Sequence, residues 1–136
     1  MTQKEKQLLL QDLSARLLYG VKVQVEYDAE EFGKTVEIDE ITMIDKYGKE
    51  ILLYHAGEYF SIEELKPYLR PMSSMTEEEK RYLMSLKYQP SALEWKNLII
   101  SSQEIIDWLN RKMFDYRGFI EKGLAIAVTK ENNPYE

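Results

Sequence analysis

The run at 21–27, Val-Lys-Val-Gln-Val-Glu-Tyr, leaves a chain few choices. Val21, Val23, Val25 and Tyr27 alternate with Lys22, Gln24 and Glu26, the two-residue period of a strand with one face on a core and the other in water. Such a strand needs sheet partners and an apolar layer over its inner face. The next residues supply the partners. Positions 28–34 are polar, contain Gly33 and read as a turn. Val36 and Ile38 then share one face of a second strand, with Glu37 and Asp39 on the other. The alternation slips at Glu40, and Ile41 and Met43 resume in the opposite phase, which predicts a bulge near Asp39 and Glu40. Asp45-Lys46-Tyr47-Gly48 reads as a hairpin turn. Ile51, Leu52, Leu53 and Tyr54 make a third strand, apolar enough to be covered on both faces. The three runs read as an antiparallel meander.

Helices come from a recurring start signal. In Ser/Thr-x-x-Glu the hydroxyl takes an orphan N–H of the first turn and the glutamate bonds back. The spacing occurs at Thr2/Glu5, Ser61/Glu64, Thr76/Glu79, Ser91/Glu94 and Ser101/Glu104. After Thr2, Leu9, Leu10, Leu13 and Leu17 form one helical face, which predicts a helix over about residues 3–18, ended by Gly20. After Ser61 the spacing predicts a short helix that Pro67 or Pro71 limits. Positions 72–75 read as a loop. The helix after Thr76 buries Tyr82, Leu83 and Leu86, and one after Ser91 runs through Trp95, Leu98 and Ile99.

The densest stretch is 102–125, SQEIIDWLNRKMFDYRGFIEKGLA. Ile105, Ile106, Leu109 and Met113 recur at helical spacing, with Trp108 widening the stripe and Arg111 and Lys112 suiting the negative end of the helix dipole. Phe114-Asp115-Tyr116-Arg117-Gly118 reads as a turn, 119–122 as one helical turn stopped by Gly123, and 124–128 as a short strand that joins the meander. The tail 129–136 is polar and reads as loosely held. The expected fold is α+β: a small antiparallel sheet, a three-stranded meander plus a C-terminal strand, covered by several short helices.

The strings DWLN and FDYRGFIEKGLA, PYLRPMSSMTEEEK at 67–80, and YGVKV at 19–23 resemble a small family, without an assigned activity, encoded in Bacteroides genomes and their phages or prophages. The resemblance spans most of the chain; positions 88–101 do not match the pattern. It implies a setting rather than a reaction: a cytoplasmic protein of a phage or mobile element that interacts with its host.

The 136 residues fit one domain, 1–136, with enough apolar content for a core. No apolar run reaches the length needed to span a bilayer, and the first residues lack the apolar segment of a signal peptide. With no cysteine, disulfides, thiol chemistry and cysteine-ligated zinc are excluded, and the cytoplasm is the expected location. A net charge of −6 argues against general nucleic-acid binding, which depends on neutralising phosphates.

Chemistry-bearing residues are scattered. Glu37 and Asp39, with Asp28, Glu30 and Glu31 nearby, have oxygens suited to magnesium or calcium, but no ordered ligand spacing joins them, so they read as a solvated face and no metal site is expected. His55 is the one histidine, which rules out multi-histidine metal sites, and no nucleophile-turn motif accompanies it. Phosphate-loop glycine patterns are missing, and no cofactor is expected. Arg70 follows Tyr68 in one predicted turn, and Asp115, Tyr116 and Arg117 share another. Arginine grips carboxylate or phosphate with two parallel donors, so these five residues are the candidate ligand- or partner-binding set, against the alternative that each arginine fixes its own turn. The functional expectation is a non-enzymatic binding protein acting on a host protein or complex. The alternative is a protein that binds or sequesters a small anionic, nucleotide-derived ligand between tyrosines and arginines. A small hydrolase using His55 and a carboxylate is a weaker third reading. Nothing in the residues sets an oligomeric state.

Overall fold

The structure, a computed structural model, describes residues 1–45, 47–87 and 95–136. Helix α1 (Gln3–Arg16) opens with the expected capping box: Glu5 N–H donates to Thr2 Oγ1 at 3.1 Å and Thr2 N–H to Glu5 Oε1 at 2.8 Å. A 3₁₀ turn (Leu17–Tyr19) ends at Gly20, whose φ of 74° lets the chain reverse into β1 (Lys22–Ala29). Strands β2 (Gly33–Ile44), β3 (Ile51–Leu53) and β4 (Tyr59–Phe60) follow, then β5 (Leu65–Leu69), α2 (Glu77–Lys87), α3 (Trp95–Arg111) and β6 (Ile126–Ala127). The six-stranded sheet runs β4-β3-β2-β1-β5-β6. Leu9 and Leu13 of α1 join Val21, Val23, Val25, Ile41, Ile51, Leu53 and Phe119 in the main core. A second cluster of Trp108, Leu109 and Phe114 sits where α2 meets α3.

The α+β class and the β1–β3 meander stand, but the sheet is larger than expected and mixed. β4 extends one edge, β5 pairs antiparallel with β1, and β6 adds to β5 in parallel. The expected helix after Ser61 is the main discrepancy. Its capping box forms, but the helix stops after one 3₁₀ turn (Ile62–Glu64) and the chain enters β5. Pro67 has no N–H to donate to a helix, whereas opposite Val23 in the ladder it is accommodated and buried.

The second discrepancy concerns β2. Directly opposed residues of an antiparallel pair share a face. The register sets Asp39 opposite Val23, so its carboxylate, and not Val36 or Ile38, turns to the core; Glu37, opposite Val25 farther along the strand, stays exposed. Asp39 is buried, and Val36 and Ile38 are about half exposed. The irregularity lies between Ile41 and Met43 rather than at Asp39 and Glu40, where β2 passes from β1 to β3 as its partner. A third difference is that α3 is continuous from Trp95, which leaves Ser101 in its interior with no capping role. The start signal at Ser91/Glu94 lies outside the described residues. No helix among the described residues is long and apolar enough to cross a membrane.

Candidate functional site

Asp39 shows what the predicted acidic face does. Its Oδ1 accepts N–H bonds from Glu40 at 2.7 Å and His55 at 2.9 Å, and Oδ2 accepts from Ala56 at 2.9 Å. Burial pushes this carboxyl up, but the three backbone donors outweigh it and hold the group below the ordinary aspartate value. The carboxylate therefore closes the turn after β3. Among the described residues, no group of three potential ligands is placed to hold an ion. His55 is exposed, with its ring edge-on to Tyr54 at 4.9 Å; its backbone, not its imidazole, meets Asp39.

The five candidate residues fall into two groups. Arg70, just past β5, exchanges backbone bonds with the segment after α3: its N–H donates to Met113 O at 2.7 Å, and its carbonyl accepts from Asp115 N–H at 2.9 Å. Its guanidinium grips Glu79 two-pronged, both contacts 2.8 Å, and lies 4.1 Å over the Phe114 ring. Glu79 also closes the Thr76 capping box, so one carboxylate starts α2 and locks Arg70. The Arg70 bond is the main reason its pKa is lowered to about 2. Tyr68 is buried within β5; burial pushes its phenol up, and its carbonyl accepts from the Tyr135 hydroxyl at 2.7 Å.

Asp115, Tyr116 and Arg117 belong to the second group, which ties α1 to the turn after α3. Asp115 accepts the N–H groups of Phe119 and Ile120, both at 2.9 Å. Tyr116 donates to Asn110 Oδ1 at 2.9 Å, with the guanidiniums of Arg16 and Arg117 each 5.4 Å from its ring centre. Arg117 Nε lies 3.3 Å from Asp12, which pairs with fully buried Arg16 at 2.8 Å. Arg16 in turn donates to Phe114 O at 2.6 Å. Tyr116 and Arg117 thus take part in this internal network, while Asp115 fixes the turn that follows it.

The structure brings Arg70 instead to a cleft of about 830 Å³ with Tyr19, Arg111, Lys112, Met113, Lys130 and Tyr135. The end of α3 shapes one wall. Phe114 N–H returns to Leu109 O at 2.9 Å and Met113 N–H to Asn110 O at 3.1 Å, a reversal that puts Met113 at φ 63°. That conformation costs a non-glycine residue about 1–2 kcal/mol, and burial of the Met113 side chain in the core helps hold it. Arg111, the last residue of α3, lines the cleft with its guanidinium 5.7 Å from the Tyr19 ring centre. The other wall is the closing segment, which reading it as a loose tail missed: Tyr135 is anchored by its hydroxyl.

Arg70 is neutralised by Glu79, whereas Arg111, Lys112 and Lys130 enter no ion pair among the described residues. Among the described residues, Glu136 is the one acid lining the cleft. The cleft therefore has a positive surplus on a chain whose net charge is −6. Of its lining, sequence pattern marks only Arg70 for binding; Arg111 and Lys112 suit the negative end of the helix dipole and carry no local sign of a cleft. Comparison of the chain with family models, curated proteins and solved structures gives no match.

Proposed function

We propose that this is a non-enzymatic binding protein that takes an acidic segment of a partner protein into the cleft beside Arg70. One observation carries the reading: Arg111, Lys112 and Lys130, which enter no ion pair among the described residues, converge on a cleft of an otherwise acidic chain. Opposite charge across an open cleft steers and selects a partner. Tyr19 and Tyr135 add aromatic area that costs little entropy to order. The resemblance to phage and mobile-element proteins makes a host protein or complex the natural partner. The exposed imidazole of His55, with Asp39 occupied by backbone donors, supports a binding role over hydrolysis.

The two tyrosines also favour a second reading, a small nucleotide-derived ligand stacked between them. The C-terminal end of α3 opposes either anion, so side-chain cations must supply the attraction; Arg111, Lys112 and Lys130, spread around a cleft of about 830 Å³, suit carboxylates spaced along a peptide better than one compact phosphate group. The test is an NMR titration with a glutamate-rich peptide, and separately with a nucleoside diphosphate. The peptide should shift Tyr19, Arg111 and Lys130, weaken with salt, and lose affinity at least about tenfold when Arg111→Glu and Lys130→Glu are combined. Peptide binding that ignores both reversals, or saturable binding of the nucleotide alone, would overturn the acidic-segment reading.

A further inference from the structure

The cleft has one wall made of chain that does little else, and a single side chain pins it. Val128 N–H donates to Leu69 O at 2.8 Å, the last rung beside β6. Beyond it, the hydrogen bonds of residues 129–134 are local among the described residues: Thr129 and Asn132 exchange backbone bonds at 3.3 Å, and Asn133 accepts from Tyr135 N–H at 3.0 Å. The segment regains the body through the Tyr135 side chain, whose ring packs against the main core and whose hydroxyl reaches between two strands. That hydroxyl accepts from Lys22 N–H at 3.1 Å and donates to Tyr68 O at 2.7 Å.

The register explains why a hydroxyl fits there. β1 and β5 pair from Val25 opposite Leu65 to Val23 opposite Pro67. One step further, Lys22 would face Tyr68. The strands part at that point, and the phenol oxygen fills the gap as acceptor for one strand and donor for the other. A hydroxyl is suited to this because it offers both roles at one atom. Without it, a backbone N–H and a backbone C=O would be left to find other partners.

We infer that Tyr135 is the positioning residue of the cleft: its hydroxyl, spliced between β1 and β5, holds residues 129–134 as a wall and so keeps Lys130 facing Arg111. Pinned at Val128 and Tyr135, the segment is a short loop with both ends fixed. Freed at Tyr135, residues 129–134 are held to the body by the Val128 bond alone among these contacts. Lys130 then spends part of its time away from the cleft, and a ligand that needs it binds in proportion to the docked fraction. The linkage is reciprocal, so an occupied cleft holds the tail down. The affinity half of this inference rests on the acidic-segment reading; the pinning half does not.

The test compares wild type with Tyr135→Phe, which keeps the ring and removes only the oxygen. Amide exchange at residues 128–136 should accelerate in the variant while α1 and β1 keep their protection. The Kd for the glutamate-rich peptide should rise about tenfold if the wall is docked roughly a tenth of the time. In wild type, saturating peptide should slow tail exchange. If wild type binds and the variant binds equally well, or if tail exchange is the same in both, the inference is overturned while the binding reading survives. If wild type does not bind, that reading falls, and the exchange comparison still decides whether the hydroxyl pins the wall. Should Tyr135→Phe fail to fold, wild type alone suffices: peptide binding that leaves tail exchange unchanged overturns the coupling.

Discussion

Replacing Asp39 by alanine should be among the most damaging changes in the sheet, although an acid beside Glu37 and Glu40 reads as a solvated position. The side chain is 3% exposed and is the acceptor for three backbone N–H groups. Alanine removes all three acceptors. A buried donor left unsatisfied costs about 1–3 kcal/mol. His55 is exposed and Glu40 and Ala56 are partly buried, so water can serve some of the orphaned donors, and the lower figure applies. Three such losses, partly offset by not burying a carboxylate, give about 2–4 kcal/mol. Asp39→Asn should cost about 1–2 kcal/mol: its amide oxygen can still serve Glu40 and His55, but its NH₂ would meet the N–H of Ala56 donor to donor. Urea unfolding at neutral pH measures both. Because the folded-state pKa is depressed, the carboxylate's contribution is present above the unfolded aspartate value, about 3.9, and is lost as pH falls through the lower folded value. The gap between wild type and Asp39→Asn should therefore narrow in acid. If Asp39→Ala changes stability by less than about 0.5 kcal/mol, the usual range for surface substitutions, the carboxylate is solvated and the assignment is wrong.

Two further predictions concern the ion pairs around the cleft and behind it. Glu79 should titrate near 2 by carbon-detected NMR, so its contribution is complete above the ordinary glutamate range and is lost as pH falls through about 2; Arg70→Lys, which keeps the charge but not the two-pronged grip, should raise that midpoint, and an ordinary midpoint in wild type would show that the grip does not persist in solution. Asp12→Ala should destabilise by about 3–5 kcal/mol in chemical unfolding, because it strips fully buried Arg16 of its partner; replacing Asp12 and Arg16 together by leucine and methionine should recover most of that loss, and equal damage from single and double variants would contradict it.

Local signals were legible from the chain alone. Alternation across 21–27 set β1, and the capping boxes at Thr2, Ser61 and Thr76 form as spaced, because a hydroxyl and a carboxylate three residues apart need only their own backbone to meet. Arg70 and Arg117 could be singled out as guanidiniums in ordered turns, though not the acids they would find. What the sequence could not settle was set by distant partners. Residues 65–69 became strand rather than helix because β1 had a free edge beside them and Pro67 suits a ladder better than a helix. Asp39 turned inward because pairing with Val23 fixes its face, whatever its own polarity favours. The cleft lay beyond any local rule: Tyr19, Arg70, Arg111 and Lys130 come from four separate parts of the chain. Short-range periodicity records which residues suit a helix or a strand; which side chains end up facing one another depends on register and chain reversal, and these are fixed only when the whole sheet closes around its core.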